Sequence, residues 1–373
     1  MASAKTETAE TPAVPHPRQT TDLLGHWEGE RVLLRAWSSG RLPHAWLITG
    51  TRGIGKATLA YRFGKFVLSG GSAGGSAGGG LFGDGPDSLG LDGDHPVARQ
   101  VAAGSHPDIF ALVPFMQRVE ANKKPSAEIL VEHVRQAVHF CFMTPSSSAW
   151  RVIVVDPAEE MNPNAANALL KVLEEPPSQA VLLLVSHAPA RLLPTIRSRC
   201  AQLSLSALDD ASMTTLLDRH LPETDGDDRA ALARLAEGSV GRALDLHKAG
   251  GLKLYRELVD LLTGLPQLDT GRLHAFADKL AQGQDPTAFR LGGDLLAWWL
   301  GRLIRARARG EAPYEVVTGE GAAMVRLGGR ADLEQWLGLW EKTVGLFRRA
   351  ERANLDRKQV VLTAFLDLQA AAS

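Results

Sequence analysis

The chain has 373 residues, 45% of them hydrophobic and 22% charged, with a formal net charge of −1 at pH 7. This leaves room for two or three domains with a sizeable core, and the charge balance excludes a global pull toward nucleic acid or a membrane. Two cysteines, Cys141 and Cys200, exclude a disulfide framework and a four-cysteine zinc site, and they suit a reducing compartment.

Residues 1–17 are rich in alanine, threonine and proline and read as a mobile tail with no apolar core for a signal peptide. No apolar run approaches the roughly 18 residues of a membrane-spanning helix, so the chain is expected to be a cytoplasmic protein with no membrane partner. Order is expected from near Asp22. The stretch from Asp22 to Ala45 has helical apolar spacing and ends at a Gly-Arg-Leu-Pro break. Ala45–Thr49 (AWLIT) is a short apolar run of the buried-strand kind. A glycine loop follows, then a helix with Leu59, Phe63, Phe66 and Val67 on one face.

Residues 69–94 form a glycine-rich, low-complexity stretch, expected to be a disordered insertion because it holds too little apolar surface to offset its ordering entropy. Strand pattern resumes at Asp108–Val113, and residues 126–141 read as an amphipathic helix. Arg151–Asp156 is a β-rich run ending in a carboxylate. Next comes a helix with Asn162 as cap, Pro163 at its first position and a stop at Pro176 and Pro177. AVLLLVS reads as a further buried strand. Residues 189–206 give a short helix and a last edge strand. Strands alternating with helices predict an α/β fold with a parallel sheet covered on both faces. In such sheets ligands sit beyond the carboxyl ends of the strands, where the loop after Thr49, Asp156 and Ser186 all fall. From about Ala207 onward the pattern is helical.

The loop reads GTRGIGKA. Gly50, Gly55 and Lys56 match G-x-x-x-x-G-K, with Gly53 inside the loop: backbone N–H groups close around phosphate, and the lysine reaches the outer phosphates. The hydroxyl that would ligate magnesium is missing, since Ala57 follows the lysine. Thr58 is displaced about 100° around the helix. Asp156 can hold a metal ion at the strand end, or cap the turn. Pro157 stands where a water-activating glutamate belongs. The Glu159–Glu160 pair is expected to be solvated. Ser186 is suited either to a phosphate or water or to capping the next turn.

Three stretches together, HAWLITGTRGIGKAT, NAANALLKVLEEPP and LLPTIRSRC, resemble the clamp-loader AAA+ proteins of bacterial replication. The resemblance is strongest over residues 18–205. It implies an AAA+ phosphate-loop core (18–206), a small helical lid (207–249) and a C-terminal all-α collar that carries oligomer contacts (250–373). It implies a degenerate nucleotide site at Gly50, Gly53, Gly55, Lys56, Thr58, Asp156 and Ser186, with ATP bound weakly or without hydrolysis. Ser198, Arg199 and Cys200 match the family's trans-acting motif, which makes Arg199 a finger for a neighbouring subunit's ATP. Partners implied are the gamma/tau and delta subunits, the sliding clamp, and primer-template DNA through the complex. Polymerase chemistry would come only by membership of the DNA polymerase III holoenzyme. An active gamma/tau-type ATPase is the alternative.

Two departures from the family pattern add to this picture. Its four-cysteine zinc module is replaced by the glycine-rich stretch, so no zinc is expected and His95 and His106 read as loop residues. Motor relatives place a second-sensor arginine where this chain has Gly241, with Arg242 one residue late. In the collar, Arg302, Arg305, Arg307 and Arg309 read as a solvated or intersubunit face rather than a DNA contact. Trp298, Trp299, Trp336 and Trp340 read as core or interface anchors, with Trp336 and Trp340 suited to the interface.

Overall fold

A computed structural model describes residues 15–71, 87–114, 128–283 and 286–373. By contact the chain divides into two compact units. One holds the residues up to Pro222 together with Glu237–Arg242, and the other holds Glu223–Ala236 and Ala243–Ser373.

The first unit runs α1 (Trp27–Ser38), β1 (Ala45–Thr49), α2 (Lys56–Leu68), α3 (Pro96–Ala103), β2 (Ile109–Leu112), α4 (Val131–Phe142), β3 (Arg151–Val155), α5 (Pro163–Glu174), β4 (Ala180–Ser186), α6 (Pro194–Arg197), β5 (Ala201–Ser204) and α7 (Asp210–His220). The five strands form one parallel sheet in the order β2-β3-β4-β1-β5. Side-chain alternation divides the apolar residues between its faces. Leu47, Ile153, Val155, Leu182 and Leu184 pack with Val134, Leu169 and Val172 of α4 and α5. Trp46, Ile48, Val152, Val154 and Leu183 pack with Leu33, Leu59, Phe63 and Phe66 of α1 and α2. Burial on both faces explains why these strands read as continuous apolar runs. The β1–β4 register pairs Thr49 with Ser186, which sets the start of the glycine loop beside the end of β4.

Order begins earlier than Asp22. The His16 ring meets Tyr61 edge-on, and α2 reaches back to the entering chain: Lys65 Nζ donates to Thr20 O at 3.1 Å and Arg62 to Thr21 O. The glycine-rich stretch is ordered at both ends. Gly71 N–H donates to Phe66 O, closing α2, and Leu89 is fully buried in the α1–α2 face of the core. Residues 72–86, the heart of the expected insertion, and residues 1–14 of the expected tail lie outside the described residues. Before α4, Ile129 forms an isolated bridge with Met161, so the helix starts later than its apolar spacing predicts.

The second unit is helical: α8 (Gly226–Ala236), the end of α9 (Val240–Lys248), α10 (Gly251–Thr263), α11 (Thr270–Ala281), α12 (Thr287–Arg309), α13 (Glu320–Gly328), α14 (Leu333–Ala353) and α15 (Arg357–Ala372). The 23-residue α12 is its axis. α14 crosses it closely at Gly293, where a Cβ would stand 2.4 Å from the Phe347 ring.

Two expectations are corrected here. Arg302 does not lie on a solvated or intersubunit face. It is buried on the stripe of Leu295, Trp299 and Leu303, pairs with Glu320, donates to Tyr314 O, and stacks over the Trp298 and Tyr314 rings. Tyr255 Oη donates to the second Glu320 oxygen at 2.7 Å. Trp336 is not a surface anchor but is fully buried within this unit, as is Trp299, while Trp340 is half-buried with its Nε1 donating to Ala297 O at 2.9 Å. Removing one partner of a buried pair strands the other charge, so Glu320→Ala should lower the unfolding free energy of the chain by about 3–5 kcal/mol. Urea denaturation followed by tryptophan fluorescence checks this.

Candidate functional site

The glycine loop leaves β1 and closes into the first turn of α2. Gly50, Gly53 and Gly55 have φ of 142°, 80° and 104°, a region that side-chain-bearing residues rarely enter. Each carbonyl from Gly50 to Gly55 accepts a hydrogen bond. Lys56 Nζ donates to Gly50 O at 2.9 Å and to Thr51 O at 2.6 Å. Ser239 Oγ donates to Arg52 O at 2.7 Å, and Gly241 N–H to Gly53 O at 2.9 Å. His26 Nε2 lies 2.5 Å from Ile54 O, which fixes that nitrogen as the protonated one, and Leu59 N–H closes on Gly55 O. With every carbonyl bonded, the loop's backbone is fixed by the protein itself.

Gly241 answers the question of the missing second-sensor arginine. A Cβ there would stand 2.8 Å from Gly53 Cα, so no side chain fits without moving the loop. Arg242 is turned elsewhere: its N–H donates to Ser239 Oγ and its guanidinium stands 3.8 Å from Glu237.

Lys56 is 4% exposed, and burial pulls its ammonium down to about 8 against the opposing pull of Asp156 and Glu159. Asp156 follows β3 and is half-buried, with its N–H donating to Leu112 O. Burial raises its carboxyl to about 6; Lys56 opposes that rise and Glu159 adds to it. Ala57 begins the helix without a hydroxyl, and Thr58 sits half-buried in the first turn of α2. Glycine backbone N–H groups with Lys56 beside them are a donor set suited to the phosphates of a nucleotide. Magnesium fits poorly, because the loop offers no hydroxyl at position 57 and the strand-end carboxylate is half neutralised near pH 6. Among the described residues no group of three or more His, Cys, Asp or Glu side chains is placed to hold a metal ion. His95 caps α3, its side chain accepting from Val97 N–H, and His106 Nδ1 accepts from Asp108 N–H.

Glu159 corrects a further expectation. The 3-10 turn Ala158–Glu160 carries it back under the sheet, where its side chain is 1% exposed. One oxygen accepts from His187 N–H at 3.0 Å and Ala188 N–H at 3.1 Å. Burial pushes this carboxyl up, but the backbone N–H groups and Ser186 outweigh it and hold it below the usual range. Glu159 thereby ties the end of β3 to the end of β4. Ser186, fully buried, accepts from Ala188 N–H at 3.2 Å and so caps the turn after β4. Sequence reasoning also missed His26 and Ser239. Only Glu159 had a local signal, its three-residue spacing from Asp156 matching one 3-10 turn.

Arg199 does not belong to this cluster. It follows α6, with backbone N–H donating to Ile196 O, and it pairs with Glu174 of α5 at 2.9 Å. Its side chain is 35% exposed.

A family model described as "DNA polymerase III, delta subunit" matches residues 27–209. The chain is 39% identical over 217 residues to DNA polymerase III subunit delta' of Pseudomonas aeruginosa, covering 58% of this chain and 60% of that one. It is 32% identical over 254 residues to the delta' subunit of Yersinia pestis, covering 64% of this chain and 68% of that one. The chain belongs to the DNA polymerase III delta' family. DNA polymerase III subunit tau of Escherichia coli is 30% identical over 234 residues, covering 62% of this chain but 32% of its own length. The match thus spans about three-fifths of the Pseudomonas delta' and a third of tau. The delta' family and its tau and gamma relatives are clamp-loader AAA+ proteins of DNA replication, with which the parallel sheet, the phosphate loop and the all-helical C-terminal region agree.

The raised Asp156 pKa has a stability consequence. Its charge opposes folding, a cost absent below about pH 4, growing as pH rises and complete above about pH 6. Asp156→Asn should therefore gain stability relative to the parent between pH 4 and pH 7, by at most about 3 kcal/mol. Thermal midpoints of both proteins across that range check the sign.

Proposed function

We propose that this chain is a largely non-hydrolysing, delta'-type stator of the DNA polymerase III clamp loader, and that it supplies Arg199 to the ATP of a neighbouring motor subunit. It works with gamma/tau and delta subunits to place the sliding clamp on primer-template DNA in the cytoplasm. Its three parts act as an AAA+ core, a small lid formed by residues 207–249, and a collar from residue 250 onward that holds it in the ring. Its link to polymerase chemistry is membership of the holoenzyme.

The observation that carries this reading is the loop held on every carbonyl, with Ala57 after its lysine and Gly241 pressed against Gly53. The N–H groups of the loop and Lys56 would hold the phosphates of ATP, whose binding would supply energy to the assembly. Hydrolysis in this chain lacks four supports. Position 57 has no hydroxyl for magnesium, Pro157 stands in place of a base, and Glu159 is occupied by the N–H groups of His187 and Ala188. Gly241 leaves no arginine over the phosphates.

Arg199 is the chain's contribution to catalysis. A guanidinium spreads positive charge over the phosphate oxygens as negative charge builds up in transfer. Arginine fingers are worth about 10³–10⁵ in rate in GTPases. A loader with several ATP sites loses only one finger, so the effect on the whole is smaller.

Arg199→Ala should leave folding and assembly intact and cut the DNA-stimulated ATPase and clamp loading of a complex reconstituted with wild-type motors. Arg199→Lys should be nearly as damaging, because an ammonium lacks the planar fork. Unchanged hydrolysis and loading with Arg199→Ala would leave the chain as scaffold alone. Nucleotide affinity should fall as pH rises through about 8, where Lys56 loses its proton; titration with a fluorescent ATP analogue between pH 7 and pH 9 measures this.

A further inference from the structure

Arg199 is already held before any neighbour arrives. Its Nη1 donates to Thr195 O at 3.0 Å, and its Nη2 lies 2.9 Å from Glu174 Oε1. The two anchors stand on different helices, both fixed by packing. α5 begins at the Asn162 cap and buries Leu169, Val172 and Leu173, and Glu174 is its last residue. α6 buries Ile196, and Cys200 on the other side of Arg199 is buried too. The backbone carrying Arg199 is therefore set, and its side chain is the part left to order.

The placement of Glu174 is itself informative. A carboxylate on the last turn of a helix opposes the macrodipole, so it weakens α5 unless a cation neutralises it. Lys171 lies in the same turn, and Arg199 is the cation paired with the carboxylate itself. The pair leaves most of the guanidinium's five N–H donors unused. It also remains within reach of another chain, with side chains 35% and 49% exposed. Holding an arginine at two points before binding removes much of the rotamer entropy that ordering it at an interface would otherwise cost.

We propose that Glu174 is a positioning residue for Arg199, fixing the guanidinium in the orientation in which it meets a phosphate oxygen of the neighbouring subunit. This rests on the trans-acting reading of Arg199 given above. Glu174 touches no nucleotide and acts only through the arginine. The opposite role, in which the pair withholds Arg199 from the neighbour, predicts the reverse sign.

Two measurements test it. In the isolated chain, phenylglyoxal modification of Arg199 is followed by peptide mass spectrometry. Glu174→Ala should raise its rate about two- to fivefold, the range of an exposed ion pair, while the rate at Arg326 stays constant. An unchanged rate at Arg199 would show that the pair does not hold the arginine and would overturn the proposal whatever Arg199 does in the complex. In a loader reconstituted with wild-type motors, Glu174→Ala should lower the Arg199-dependent part of DNA-stimulated ATP hydrolysis about three- to tenfold, the range for ordering one long side chain. Glu174→Gln, which keeps an acceptor, should recover most of it. Added to Arg199→Ala, Glu174→Ala should change nothing further. Faster hydrolysis with Glu174→Ala, or an equal loss in the Arg199→Ala background, would overturn positioning while leaving the finger in place. If Arg199→Ala alone is silent, the finger reading falls and the positioning role falls with it.

Discussion

Six consecutive carbonyls, Gly50 to Gly55, are each met by a donor from the first unit: Lys56, Ser239, Gly241, His26 and Leu59. Much of the site follows from this. A loop whose carbonyls are each satisfied by protein donors keeps its shape with no bound anion to impose it. The same bonds explain what the site has given up. The Gly241 N–H on Gly53 O brings two backbones so close that a side chain at 241 is excluded, and Lys56 lies down on its own loop. On the reading proposed above, the cradle is kept while the groups that would act on a bound phosphate are absent or engaged.

The carboxylates behind the loop are divided in a similar way. Asp156 is half-buried with few compensating donors, and its charge is resisted. Glu159, one 3-10 turn later, receives two backbone N–H groups and keeps its charge, but it is used to join the ends of β3 and β4. That junction matters beyond the loop. The segment leaving β4 runs through Pro189–Arg191 and α6 to Arg199, so a well-fixed start at His187 and Ala188 steadies the backbone that presents the arginine. Asp108 does comparable work at the far side of the sheet. It accepts from the N–H groups of Ser146, Ser147 and Ser148, which outweigh its burial and hold it at about 2.

What could be read from the chain alone were the features written in neighbouring residues. AWLIT and AVLLLVS are strands because runs buried on both faces must be apolar throughout. The Asn162 cap with Pro163 is a purely local device, and the missing hydroxyl at Ala57 is visible by position. The contacts that complete the site are not local. Ser239 reaches Arg52 across 187 residues, and His26 reaches Ile54 across 28, with no pattern near either to announce it. Charge misled twice for the same reason. Charge alone places Glu159 in solvent and Arg302 on a solvated or intersubunit face, and both are buried because partners distant in sequence compensate them. For Arg302 a cue existed, its place three residues after Trp299 on the stripe that α12 buries. Trp336 likewise fills its own unit, so it is not an exposed anchor.

The central claim is that the loop is shaped for phosphate and not equipped to cleave it. Phosphate release by the isolated chain, measured with saturating ATP and magnesium in the presence and absence of primed DNA, tests it most directly. The account predicts no turnover above background under either condition, and no difference between the parent and Lys56→Ala. Sustained turnover that Lys56→Ala abolishes would contradict it and make the chain a motor.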